Sequence, residues 1–300
     1  MKIRIAIAVG IVAAAVAVTS QTLVGQSGSR ASGLDRIFEI NAQLRQKGLN
    51  IAVQEVDFFT IGQARPSFRV HQQPFRWVAS DPRRLADGDR ITYLVDQSDG
   101  RTASGLSSEE TEAAIDRSFA SWQADPSLLK VTLVKRPDPG QDPDIYDSFF
   151  GFGREGYPFY ADIVNAGWLP REYFEAAGGP GGGRGILAFS VTFIFTDDEG
   201  VPTDIDNDGY LDSALNEVYY NDTFGDRKTD RAGNPWAINQ QLPAIDVETV
   251  SLHENGHSLG LGHFGPPPTA VMNPVYGGIL HAPLSADSAG MKVVWGAWPQ

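Results

Sequence analysis

Residues 253–263 read His-Glu-Asn-Gly-His-Ser-Leu-Gly-Leu-Gly-His, and no other stretch limits the fold and chemistry of this chain as tightly. On a helix, His253 and His257 stand four positions apart, so both imidazoles leave one face a turn apart. Two neutral imidazole nitrogens at that separation can share one zinc ion. Glu254 sits beside the first ligand, where its carboxylate can reach a water on the metal rather than the metal itself. Gly260, three residues past His257, is where a helix can end in a left-handed turn that glycine enters without a Cβ clash. That reversal would return His263 to the same ion as third ligand. Three protein ligands leave one position open, which marks a catalytic zinc rather than a structural one. HExxH alone arises by chance on ordinary helices, but a glycine and a third histidine at fixed offsets make coincidence a poor explanation. Three of the five histidines lie in this stretch; His71 and His281 are isolated and read as surface or packing residues.

The pattern HExxHxxGxxH resembles the signature of the metzincin zinc endopeptidases. Their second mark, a methionine turn beneath the metal, is matched by Ala270-Val271-Met272-Asn273-Pro274-Val275-Tyr276. The form Met-x-Pro-x-Tyr is similar to that of the matrixins, whereas astacins and serralysins carry a tyrosine where this chain has Pro274. The resemblance implies an apolar floor at Met272, under the histidines. It also implies that Pro274 to Tyr276 form the wall of the pocket receiving the side chain just after the cut.

The likeness extends along residues 75–300. Residues 91–95 read as a strand, and Ser107 with Glu110 form a capping box before Thr111, Ile115, Phe119 and Trp122, which share one helical face. Residues 131–134, 161–164, 186–195 and 217–220 read as further strands. Asp246 is a candidate N-cap for the motif helix, with Glu248 near its positive end. Leu284 to Asp287 and Met291 to Gly296 look like the closing helix. The expected fold is α+β: a metzincin-type domain with a twisted, mostly parallel sheet of about five strands and three helices. Three features depart from the family. The chain has no cysteine for a cysteine switch, and no histidine lies between His71 and His253 to build the second, structural zinc site. Asp287 is followed by Ser288, where many matrixins have paired aspartates.

Three hundred residues with 42% hydrophobic content suffice for one catalytic domain and a small appendage. Lys2 and Arg4 before an apolar run from Ile5 to Val18 read as a secretory signal peptide over 1–20, implying a secreted or periplasmic protein without a membrane anchor after cleavage. A net charge of −13 argues against nucleic acid or anionic membrane surfaces as partners. Residues 21–75 form an N-terminal segment before the catalytic domain of 76–300. A helix over 34–44 and a strand over 51–59 are expected there, then a linker around Pro66 and Pro74. One reading makes the segment a pro-segment covering the cleft, with Asp57 or another carboxylate on the zinc. The other, preferred because the sequence alone supplies no ligand geometry, keeps it permanently packed on the catalytic domain.

Asp204, Asp206 and Asp208 alternate before Gly209, and Asp212 follows, a pattern resembling a calcium loop. Leu215 at the twelfth position rules out a complete EF-hand; a solvated acidic turn is the alternative. Glycines and Pro180 over 178–183 suit a mobile connection and lack the ending of a phosphate loop. The following strand, from Ile186, is either a cleft border that pairs with extended substrate or a buried central strand. The functional expectation is a secreted zinc endopeptidase acting on proteins or peptides, with Glu254 as general base. Two alternatives are an inactive zinc- and calcium-binding module on the same fold and a structural protein that depends on calcium.

Overall fold

Ile186–Phe195 is apolar at nearly every position and buried at every one, the mark of a strand covered on both faces. It lies in a sheet of seven strands in the computed structural model, which describes residues 29–62, 73–85, 90–153, 160–226 and 233–298. The signal-peptide reading of 1–20, most of the linker and His71 fall outside those residues.

The strands are β1 (Ile51–Thr60), β2 (Phe75–Arg76), β3 (Arg90–Val95), β4 (Thr132–Lys135), β5 (Ile163–Leu169), β6 (Ile186–Phe195) and β7 (Leu211–Asn221). Their order is β1-β6-β7-β5-β3-β4, with β2 beside β7. The pairs from β4 through β3 and β5 to β7 are parallel, while β6 runs antiparallel to both β7 and β1. A two-stranded parallel pair, β8 (Trp236–Ala237) and β9 (Ile245–Asp246), leads into the motif helix. The helices are α1 (Ser29–Gln46), α2 (Ser108–Gln123), α3 (Arg171–Gly178), α4 (Gly182–Gly185), α5 (Val247–Ser258) and α6 (Ser285–Trp295).

The five strands expected between 91 and 220 all form, with shifted ends. Two more join them. β2 is too short to announce itself by alternation, and β1 was expected in the N-terminal segment but not in the catalytic sheet. Among the described residues six α-helices form rather than three, because α1, α3 and the single turn α4 add to the expected set.

Alternation along the strands splits the core into two layers. Ile91, Tyr93, Val218 and Tyr220 pack with Phe119 and Trp122 of α2 and Val250 and Leu252 of α5. On the other face, Leu94, Phe189 and Tyr219 pack with Ile37, Ile40 and Leu44 of α1 and Tyr173 and Phe174 of α3. The capping box of α2 forms as expected: Glu110 N donates to Ser107 Oγ at 3.3 Å and Ser107 N to Glu110 Oε2 at 2.9 Å. Asn41 fixes α1 to β1 through two bonds with the Val53 backbone, of 2.7 and 3.0 Å.

The glycine run departs from the mobile connection expected of it. It closes α3, turns at Gly179 and Gly181 with φ of 80° and 90°, and forms α4. A Cβ at Gly182 would stand 2.3 Å from the Phe174 carbonyl oxygen, so close packing is what requires glycine here. Among the described residues no helix is long and apolar enough to cross a membrane.

Candidate active site

The site is built on α5, and every residue of α5 is buried. Its start is fixed by Asp246, whose Oδ2 accepts from Thr249 N at 2.9 Å and from the Thr249 hydroxyl at 2.7 Å. His281 Nε2 reaches the same oxygen at 2.8 Å, which gives that isolated histidine a packing role away from the other three. At the far end Gly260 takes φ 89°. Gly260 N donates to His257 O at 2.8 Å and Leu261 N to Gly256 O at 3.0 Å, the paired bonds of a Schellman stop. Two tryptophans satisfy the last free carbonyls, Trp77 on Ser258 at 2.8 Å and Trp295 on Leu259 at 2.9 Å.

This reversal brings His263 back to His253 and His257. The three Nε2 atoms stand 3.2 Å from one another in every pair. His253 Nδ1 donates to the Val271 carbonyl at 2.7 Å, and His257 Nδ1 to the Leu261 carbonyl at 2.8 Å. A carbonyl only accepts, so these two rings carry their proton on Nδ1 and turn bare Nε2 lone pairs toward the common point. Burial pushes His253 well below its ordinary pKa, helped by His257, and pushes His257 down to about 4, so both rings are neutral at pH 7. Tetrahedral zinc with Zn–N near 2.0–2.1 Å needs nitrogens about 3.3 Å apart. The donor set fits zinc in number, protonation and spacing.

Glu254 lies on α5 beside His253 and is fully buried. Among the described residues neither carboxylate oxygen meets a partner at full hydrogen-bond geometry, and the nearby Ser190 hydroxyl is likewise short of one. Burial holds the Glu254 pKa well above the carboxylate range and the Asp57 charge raises it further, against an opposing influence from Ser190. A desolvated carboxyl of this kind takes up a proton readily, as a general base must.

Met272 is fully buried against the other side of α5. A Cβ on Gly256 would stand 2.4 Å from Met272 Sδ and 3.0 Å from Trp122 Cζ2. Gly256→Ala is expected to destabilise the fold, because overpacking of about 1–3 kcal/mol outweighs a helix-propensity gain of roughly 1 kcal/mol. A fall in the urea midpoint would show it. The methionine turn is held from α6. Asp287 accepts from Val271 N at 2.9 Å, Met272 N at 3.1 Å and Leu284 N at 2.8 Å. The single aspartate on the closing helix thus has a structural task within the site, one that the comparison with paired aspartates did not suggest.

Pro274 and Tyr276 line the chain opposite β6 and hold Thr60 between them. Thr60 N donates to Pro274 O at 3.2 Å and Tyr276 N to Thr60 O at 2.9 Å. Phe59 stacks on His253, centroids 3.8 Å apart and planes 10° apart, and meets Tyr276 edge-on at 6.1 Å. Asp57 does not join the ligand set. Its carboxylate stands 3.7 Å from His257 Nδ1 and 4.0 Å from His263 Nδ1, beside the ring edges away from the converging Nε2 atoms. Gln73 also donates to it at 3.0 Å.

Of the acidic loop, Asp204, Asp206 and Asp212 bring carboxylate oxygens within 4.8 Å of one another. Asp208, expected with them, is turned away to Arg76 at 3.3 Å and to Tyr210 N at 2.8 Å. Asp212 already carries a cation, the Arg83 guanidinium at 2.7 Å. A second carboxylate group, Asp96, Asp142 and Asp144, was missed in sequence. Burial raises Asp144 well above the carboxylate range, with the Asp147 charge next, and raises Asp96 to about 6. The available signal was the spacing of Asp138, Asp142, Asp144 and Asp147 after β4.

Comparison with curated proteins gave no match to the chain. The family model for matrixin, a peptidase family, matches residues 189–296. That stretch holds most of β6, all of β7 and α5, the three histidines, Met272 and α6. Upstream, β3, α2, β4 and β5 complete the parallel part of the sheet. Three Nε2 atoms converge at 3.2 Å within the matched segment, and together the match and the geometry support a matrixin-like metzincin catalytic domain.

Proposed function

We propose that the protein is a secreted or periplasmic zinc-dependent endopeptidase that cuts proteins or peptides, with His253, His257 and His263 as ligands and Glu254 as general base. The convergence of the three Nε2 lone pairs at 3.2 Å, with a buried carboxyl next to the first, carries this reading. When bound, zinc supplies Lewis acidity and a nucleophile at neutral pH. The Glu254 carboxylate takes the proton of the attacking water and passes it to the leaving amine nitrogen. The carbonyls of Val271 and Leu261 keep two rings in the ligating tautomer. Met272 serves as the apolar floor, and Pro274 with Tyr276 as the wall beside the side chain that follows the cut.

Export is supported by the charged start and apolar run of residues 1–20. The catalytic unit is assigned to 76–300. The test is metal titration of chelator-stripped full-length protein, with hydrolysis of a mixed peptide library followed in parallel. One zinc per chain, lost in His257→Ala, and hydrolysis that returns only with zinc are expected. Hydrolysis undiminished in chelator would contradict the reading.

Calcium at Asp204, Asp206 and Asp212 is a further part of the proposal, supported by their convergence and by burial and like charge raising the Asp206 carboxyl. Calcium is expected to raise the thermal midpoint of the zinc-loaded protein by about 2–4 °C per kcal/mol of binding free energy. Asp204→Asn should remove that rise. An unchanged midpoint would mean that the Arg83 guanidinium is cation enough for Asp212.

A further inference from the structure

Glu254 is buried with two oxygens to satisfy, and an ionised carboxylate can only accept hydrogen bonds. Its neighbours narrow the choice of donor. Asp57 is close enough for its charge to act on the carboxyl. A second carboxylate has no proton to offer when ionised, and Asp57 itself accepts from Gln73 at 3.0 Å. Tyr220 is also within electrostatic reach, but its single hydroxyl proton goes to Asn165 Oδ1 at 2.6 Å. His253 and His257 spend their ring protons on the Val271 and Leu261 carbonyls. The Ser190 hydroxyl is the donor left among these neighbours. It is buried, it lies beside Glu254, and it is short of a full partner of its own.

Strand alternation puts the hydroxyl there. Phe189 and Val191 face the layer of α1 and α3, so Ser190 between them faces α5. Its cross-strand partners are Asp57 on β1 and Val218 on β7. Val218 packs in the layer of α5, and the Asp57 carboxylate stands 3.7 Å from His257 Nδ1. This row of three residues crosses the sheet under the stretch of α5 that carries Glu254 and His257. Only Ser190 and Thr192 break the apolar run of β6. Thr192 accepts from Asn216 Nδ2 at 2.8 Å, whereas Ser190 has no such bond within the sheet. A buried hydroxyl that the sheet does not use costs stability unless the site uses it.

We propose that Ser190 is the positioning residue of the general base: its hydroxyl donates to one carboxylate oxygen of Glu254 and keeps the other turned to the attacking water. A small turn of Ser190 about χ1 brings the hydroxyl onto the carboxylate while β6 stays in register. A donor on the ionised form counters the burial that opposes it. Ser190 meets neither substrate nor metal in this role and acts only through Glu254. The proposal rests on the reading of Glu254 as the base of a peptide-hydrolysing centre.

The test uses zinc-loaded full-length chains and two readouts, urea unfolding and steady-state hydrolysis of one peptide that the parent cuts. Ser190→Ala removes the donor, and Ser190→Thr keeps a hydroxyl at the same position. Thr192→Val removes the other buried hydroxyl of β6 and serves as the control. Ser190→Ala is expected to lower the urea midpoint of the parent but not that of Glu254→Ala, where the hydroxyl has no carboxylate to meet. Thr192→Val should lower both equally. In Ser190→Ala kcat should fall about tenfold, through loss of one charge-assisted bond to the base, with KM and zinc content unchanged. Most of that loss should return in Ser190→Thr. Equal falls in midpoint with and without Glu254 would overturn the contact. Coupled unfolding with kcat unchanged, or with a change in KM alone, would overturn the positioning role. A folded, zinc-bound parent that cuts no peptide would remove the base and with it the role of Ser190, while the unfolding comparison would still show whether the two side chains are bonded. If Ser190→Thr fails to fold, the unfolding comparison and the kinetics of Ser190→Ala decide.

Discussion

Asp287→Ala is expected to cost the folded state on the order of 3–5 kcal/mol, since two buried backbone N–H groups and one half-buried one lose their carboxylate acceptor together. Those groups belong to Val271, Met272 and Leu284, so the loss falls on the methionine turn rather than on α6 alone. The Val271 carbonyl also holds His253 Nδ1 at 2.7 Å, and a loosened turn should therefore weaken zinc binding as well as folding. Asp287→Asn retains one acceptor oxygen and should fall between the parent and alanine. Urea unfolding with and without zinc measures both effects. A loss below about 1 kcal/mol in Asp287→Ala would show that the turn is held by packing rather than by this carboxylate.

Glu254→Gln carries the other large effect. Peptide hydrolysis by whichever form of the chain is active is expected to fall by about 10²–10⁴-fold, the usual contribution of a positioned general base. Zinc content should not change, because the carboxyl lies outside the group formed by His253, His257 and His263. Stability should hold or rise, because the substitution removes a buried ionisable group whose two oxygens meet no partner at full hydrogen-bond geometry among the described residues. Metal analysis, thermal unfolding and steady-state hydrolysis on one preparation separate these outcomes. Loss of zinc along with activity would make Glu254 a structural support of the site and not its base.

The cluster of three histidines was legible because its geometry is local. The i, i+4 histidines, the Asp246 cap and the Gly260 reversal act within one helix and its stop, and helix periodicity with φ-specific glycine chemistry fixes them. The Ser107–Glu110 box was legible for the same reason. What was hidden is long-range. Residues 51–59 read correctly as a strand, but alternation does not say which edge a strand joins, and its partners lie at 186–195 and 274–276. Asp287 looked like half of a missing pair, because backbone donors 15 and 16 residues away leave no mark in composition. Asp208 fitted the calcium pattern by spacing, yet Arg76 takes it, and the spacing carries no information on a competing guanidinium. The glycine run suggested freedom, whereas close approach to Phe174 and Arg171 explains Gly182 and Gly183 better.

The proposed zinc-dependent peptidase is tested by mass-spectrometric mapping of cuts in a mixed peptide library by zinc-loaded full-length protein, run beside its Glu254→Ala variant. Cuts that need zinc and vanish in Glu254→Ala are expected. Cuts that persist without Glu254, or none from folded and zinc-bound protein, would overturn it.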